Sequence, residues 1–226
     1  MPSLLKDPVA HSLGMLTSSQ DRPLQSTGQR FLIALAGLPG SGKTTMAAML
    51  AEQVNAQAGA DVMVALGMDG FHLTKAQLAR FPDPAEALKR RGAPWTFDVA
   101  ALAQCLQDLR DSHKSVLWPG FEHGVGDPLA DAIRVPPSAR IVLVEGLYLL
   151  HDDHCWQHAH LFDECWFLDV PMEIAMDRLV QRHMAANHQS REVAMQRLAV
   201  NDRLNADIVL RSRERAQYVM ENVSDR

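Results

Sequence analysis

Apolar residues fall along this chain in short unbroken runs, separated by longer stretches where they recur every three or four positions. The run RFLIALAG, residues 30 to 37, has no polar break after its arginine and ends in glycine, the pattern of a strand buried on both faces. From Lys43 onward Met46, Leu50 and Val54 recur at intervals of four, which places them on one stripe of a helix that ends before Gly59. The segment DVMVALGMDG predicts a second strand, FDVAALAQCLQDLRD a helix with Val99, Leu102, Leu106 and Leu109 on one face, and SVLW a further strand. RIVLVEGLYLL and ECWFLDV predict buried strands, PMEIAMDRLVQRHM a helix opened by Pro171, and ADIVL a last strand. Strands alternating with helices of this length imply an α/β fold with a mostly parallel sheet of about five strands, covered on both faces. Residues 1 to 28 are mixed in polarity, with turn formers from Asp21 to Pro23, and predict an N-terminal arm or short helix ahead of a domain spanning 29 to 226.

Bulk properties narrow the partners. A chain of 226 residues is long enough to bury a substantial core as one domain. Its net charge of -5, without a long basic run, gives a nucleic acid or an anionic membrane no electrostatic support. No segment carries about 18 uninterrupted apolar residues, and the start lacks the pattern of a signal peptide. The expectation is a soluble, cytoplasmic protein acting on a small molecule, with a homodimer left open. Cys105, Cys155 and Cys165 are odd in number and form no C-x-x-C pair, so all three are expected reduced, with Cys105 and Cys165 buried.

The chemistry begins at Gly37-Leu38-Pro39-Gly40-Ser41-Gly42-Lys43-Thr44, which matches G-x-x-x-x-G-K-[ST] between an expected strand and an expected helix. Glycines let successive backbone N–H groups point inward at phosphate oxygens, and the helix adds its positive N-terminus. Gly37, Pro39, Gly40, Ser41, Gly42, Lys43, Thr44 and Thr45 are therefore the expected cradle for ATP. Lys43 would reach the β- and γ-phosphates, and Thr44 would coordinate Mg²⁺. The fold expectation becomes a three-layer P-loop NTPase fold with a helical lid near 178 to 202. Asp69 in MDGFH and Glu145 in VEG stand at the carboxyl ends of strands, where open α/β sheets place ligands. Asp69 could take a hydroxyl proton, position Mg²⁺, or merely cap a turn; Glu145 could hold the metal's water shell or lie at a solvated strand end.

In order and spacing, GLPGSGKTT, MDGFH, RRGAPWTFD, PGFEH and VEGLYLL resemble the uridine kinase, phosphoribulokinase and bacterial pantothenate kinase superfamily. The pattern is most similar to its nucleoside/nucleotide kinase-like, or fructose-transport-system kinase-like, branch, over residues 30 to about 212. The resemblance implies ATP- and Mg²⁺-dependent phosphorylation of a small-molecule hydroxyl, with Asp69 as catalytic base. It carries substrate contacts onto Arg91 and Phe97, and onto Phe121 and His123, where Phe121 replaces the tyrosine of pantothenate kinases and loses its hydroxyl. Arg178 and Arg182, at i and i+4, would belong to a lid that closes over ATP; the bland alternative is two solvated arginines at a helix end. His72, Trp95, Asn201 and Asn205 are further candidates for substrate contact. His72 could equally be a hydrogen-bonded structural histidine, Trp95 could pack beneath its loop, and the asparagines could cap and turn. The His-rich stretch HDDHCWQHAH lacks the H-E-x-x-H glutamate and is set aside as a metal site. A GTPase is disfavoured by the lack of N-K-x-D; a regulatory nucleotide-binding protein is the alternative function.

Overall fold

The computed structural model describes residues 1–17, 28–122, 124–187 and 190–221. Strands β1 (Ser3–Leu4), β2 (Phe31–Gly37), β3 (Met63–Gly67), β6 (Ile141–Gly146), β7 (Glu164–Asp169) and β8 (Tyr218–Glu221) form one sheet in the order β1-β8-β7-β2-β6-β3. Every pairing in it is parallel. β2 and β6 are buried along nearly their whole length, which requires cover on both faces. The N-terminal segment is part of the domain: β1 pairs with β8, and α1 (Pro8–Thr17) packs on α2 (Lys43–Ala58). No helix among the described residues is long and apolar enough to cross a membrane.

The local periodicities hold where they were strongest. α2 buries Leu50 and Val54 and stops at Gly59, in the left-handed region at φ 66°. α5 (Val99–Leu109) buries Val99, Leu102, Leu106 and Leu109 and is capped by Asp98, whose carboxylate accepts from Ala101 N. α6 (Met172–Asn187) follows Pro171, and α7 (Arg191–Arg197) continues into a π-helical turn over Leu198–Asp202. Two short helices, α3 (Lys75–Leu78) and α4 (Pro84–Lys89), carry the chain from β3 towards α5.

Two expected strands are corrected. SVLW does lie in a strand, β4 (Val116–Glu122), but β4 pairs antiparallel with β5 (Asp127–Val135) in a separate two-stranded ribbon. β5 was not anticipated because a ribbon leaves both of its faces largely exposed, so no apolar run marks it. ADIVL is not a strand but part of α8 (Arg203–Ser212), whose buried Asn205, Ala206, Val209 and Ser212 follow helical spacing. The last strand is β8. The ribbon is tied to the sheet by Trp118, whose Nε1 donates to Gly67 O at 2.9 Å and whose ring meets Phe71 edge-on at 4.8 Å.

Arg30, 1% exposed, organises the sheet end opposite the cradle. Its guanidinium donates to Lys114 O at 2.6 Å, Asp111 O at 2.7 Å, Leu109 O at 3.0 Å, and Ala139 O and Pro136 O at 3.2 Å. Burial pushes its pKa down, opposed by Asp111. Arg30→Met strands these carbonyls, and we expect a loss of about 3 kcal/mol or more; denaturant titration checks this, and an unchanged midpoint contradicts it.

Cysteine reactivity gives a second check. Cys165 is buried, Cys105 is only half-buried and Cys155 is exposed. Burial raises the Cys165 thiol to about 11 and also raises that of Cys105. Maleimide at pH 8 should label Cys155 first, because a thiol with that pKa is about one-thousandth thiolate there; peptide mass spectrometry reads the order, and early labelling of Cys165 would refute it.

Candidate active site

The loop between β2 and α2 can be made only with glycine at its key positions. Gly40 and Gly42 sit at φ 82° and 87°, in the left-handed region that strains other residues. A Cβ on Gly40 would also lie 2.2 Å from Ala175 O of α6, so the loop and that helix are pressed together. Gly42 precedes α2 and no side chain caps the helix, which leaves its first-turn N–H groups to the loop. Ser41 Oγ is buried without a hydrogen-bond partner, although Ser41 N donates to Leu38 O at 3.0 Å. An uncapped helix N-terminus, a glycine cradle and a spare hydroxyl fit a polyphosphate; Thr44 and Glu145 supply the oxygen ligands that suit Mg²⁺.

Charge gathers beside the cradle. Thr44 Oγ1 donates to Glu145 Oε1 at 2.9 Å. Burial raises the Glu145 carboxyl above the usual range; Lys43 opposes this, Asp69 adds to it, and the Thr44 hydrogen bond opposes it. Burial lowers the Lys43 ammonium, Glu145 and Asp69 oppose, and Arg182 reinforces. Lys43, Asp69, Glu145 and Arg182 thus share one electrostatic neighbourhood. Arg178, half-buried on α6, donates through Nη1 to Ser41 O at 3.4 Å, whereas Arg182 is exposed. Pro39 and Gly37 complete the loop, and a Cβ on Gly37 would press on Leu168 O and Ser41 Oγ at 3.0 Å. Thr45 is exposed in the first turn of α2.

Asp69 stands on a short 3-10 turn, Met68–Phe71, directly after β3. Gly70 is required by packing, since a Cβ there would lie 2.1 Å from Pro119 O. The Asp69 carboxylate is 47% exposed, accepts no hydrogen bond from the described residues and lies 4.0 Å from His72 Nδ1. Among the described residues its carboxylate caps no turn. His72 Nδ1 is 2.8 Å from Asp69 O, so it donates there, and its ring lies 4.1 Å from Phe97 and 4.9 Å from Phe121. His72 therefore supports the Asp69 loop while packed against two aromatic rings.

Arg91 is committed to the ribbon: it bonds Asp127 Oδ1 at 2.7 Å, Leu73 O at 2.9 Å and Gly126 O, with its carbon 5.6 Å over the Phe121 ring. That fixes the loop around Arg91 and pairs the charge expected to meet substrate. Trp95 is 46% exposed, 5.8 Å from Phe81, and is not packed beneath its loop. Asn201 and Asn205 are buried against Arg90, Arg91 and Gly92. His123 lies outside the described residues. Sequence reasoning missed Tyr148, whose hydroxyl donates to Gly92 O at 2.6 Å, and the His183–Asp202 pair at 2.8 Å. A tyrosine inside an otherwise aliphatic run was the available signal for the first; no local signal marks the second. Among the described residues no set of three His, Cys, Asp or Glu side chains gathers to hold a metal, and Trp156 of the His-rich stretch donates to Pro94 O at 3.2 Å.

Comparison with known proteins identifies the family. The model of the Phosphoribulokinase / Uridine kinase family matches residues 32–226. A candidate uridine kinase of Schizosaccharomyces pombe is 38% identical over 186 residues, covering 80% of this chain and 78% of that protein. The uncharacterized protein YggC of Escherichia coli is 30% identical over 215 residues, covering 95% and 84%. The crystal structure of a candidate fructose transport system kinase from Silicibacter superposes with a TM-score of 0.81 at 32% identity, covering 95% of this chain and 99% of that one. With its cradle, its strand-end acids and a match over nearly its whole length, the chain belongs to the phosphoribulokinase / uridine kinase family and is an ATP-dependent small-molecule kinase.

Proposed function

We propose that the protein transfers the γ-phosphoryl group of Mg-ATP to a hydroxyl of a small metabolite, with Asp69 as general base. The observation that carries this is the half-exposed Asp69 carboxylate, free of hydrogen bonds from described residues yet close enough to Lys43 and Glu145 to perturb both. An acid placed so can accept the acceptor's proton as its oxygen attacks phosphorus. The amides of Gly40 to Thr45, with Lys43, hold the triphosphate, and Thr44 and Glu145 hold Mg²⁺ directly or through water. Magnesium, when bound, offsets negative charge on the β- and γ-phosphate oxygens. Arg178, already against the loop carbonyl of Ser41, and Arg182 on the same helix face neutralise the group in transfer. Most of the acceleration then comes from position and charge, as phosphoryl transfer asks little covalent chemistry of a protein.

The acceptor would lie at the half-exposed Asp69 carboxylate, with Phe121 and the exposed Trp95 ring as candidate apolar contacts, while Phe97, 5% exposed, packs on His72 instead. The names of relatives support a nucleoside or a sugar, and the motif order also supports a pantothenate-like alcohol. The testing experiment is ADP release from Mg-ATP with uridine, fructose, D-glycerate and pantothenate in turn. Asp69→Asn should cut acceptor-dependent release by about a thousandfold with ATP affinity within about twofold; wild-type turnover in that variant would remove Asp69 from its role. Lys43→Ala should weaken nucleotide binding and lower turnover by about a hundredfold or more. Nucleotide titration and initial rates measure both, and unaltered values would count against the cradle.

A further inference from the structure

Part-buried polar contacts, together with helix α6, join the ATP side of the site to its acceptor side. Asn201, 5% exposed in the π-helical turn, uses both ends of its amide on the acceptor loop. Its Nδ2 donates to Arg91 O at 3.0 Å, and its Oδ1 accepts from Arg90 Nε at 3.2 Å. Asp202, the next residue, contacts a different element: its Oδ2 lies 2.8 Å from Nε2 of the buried His183 on α6. The π turn, closed by Arg203 N on Leu198 O, supplies the geometry that lets successive residues serve opposite neighbours.

From His183 the path continues to the cradle. Arg182 is its neighbour in sequence, Arg178 reaches Ser41 O at 3.4 Å, and Ala175 O packs against Gly40. On the other side, Tyr148 holds Gly92 O at 2.6 Å, so the acceptor loop is pinned between the sheet and the lid. Asn205 adds a further tie to the turn by donating to Asn201 Oδ1 at 3.4 Å.

We propose that Asn201 and Asp202 are positioning residues forming a relay between α6 and the acceptor loop Arg90–Gly92, so that nucleotide bound at the cradle changes the order of the loop that receives the acceptor. Coupling of this kind is reciprocal, so an acceptor held by the loop would in turn favour nucleotide binding. The relay rests on the reading of α6 as the helix that closes on the nucleotide, but not on the identity of the acceptor or on Asp69 as base.

The test is hydrogen exchange of the full-length protein with and without Mg-AMP-PNP, read in peptides covering residues 37–46 and 88–97. In the wild type, exchange should slow at 37–46 and change by about fivefold or more at 88–97. In Asn201→Ala the first effect should persist and the second should vanish. Asp202→Asn should do the same with little change of volume, and it serves if the first variant does not fold. Protection at 37–46 with no change at 88–97 in the wild type, or the same change at 88–97 in the variants, would overturn the relay. Lack of protection at 37–46 would overturn the cradle and the relay together. Nucleotide-dependent change at 88–97 with no acceptor active in ADP release would leave the relay standing and sink the proposed acceptor chemistry.

Discussion

Two opposite charges, each desolvated and neither in direct ion-pair contact with the other, lie where neighbouring central strands end. β2 and β6 run in register with Leu35 opposite Glu145 and Ala36 opposite Gly146. The loop leaving β2 and the acid ending β6 therefore emerge side by side, and Thr44 bonds Glu145 across the gap. Burial disfavours the charged forms of both Lys43 and Glu145, and each only partly relieves the other. Such a pair is incomplete without added countercharge: an anion for Lys43 and a cation for Glu145. The magnesium-bound polyphosphate proposed above would provide both.

The loops proposed to carry the chemistry are held by close backbone approach. Gly40 lets α6 come down on the cradle, Gly70 lets the Asp69 turn meet Pro119 of the ribbon, and Gly146 makes room for Met68, whose Sδ would lie 2.2 Å from an added Cβ. Trp118 then fastens the ribbon to Gly67 O. Interiors packed this tightly transmit displacement in place of absorbing it. A shift of α6 therefore bears on the phosphate loop and a shift of the ribbon on the Asp69 turn, the setting for the proposed coupling between the two substrates.

The cradle and the strand-end acids were legible in the sequence because each depends on contiguous residues or on strand direction alone. The acceptor side was legible only as a set of candidates. Arg91 reads as a free cation until Asp127, 36 residues further on, is brought against it by the ribbon. His72 reads equally as ligand or support until Phe97 and Phe121 pack against its ring. Arg30 shows no partner at all in sequence, because its acceptors are backbone carbonyls of two distant loops.

Local pattern alone determined the central strands, the helices α2, α5 and α6, the phosphate cradle and the positions of Asp69 and Glu145. Runs of apolar residues and fixed-spacing motifs specify such features within a few turns of chain. Tertiary structure decided the rest. ADIVL became helical because Ala206 and Val209 find their burial at helical spacing along α8, and β5 exists only as the partner of β4. His183 and Asp202, 19 residues apart, meet only after α6 and the π turn have packed. Hydrogen-bond partners and burial on an irregular surface are set by contacts between distant segments, and no periodicity in the chain encodes which segments those will be.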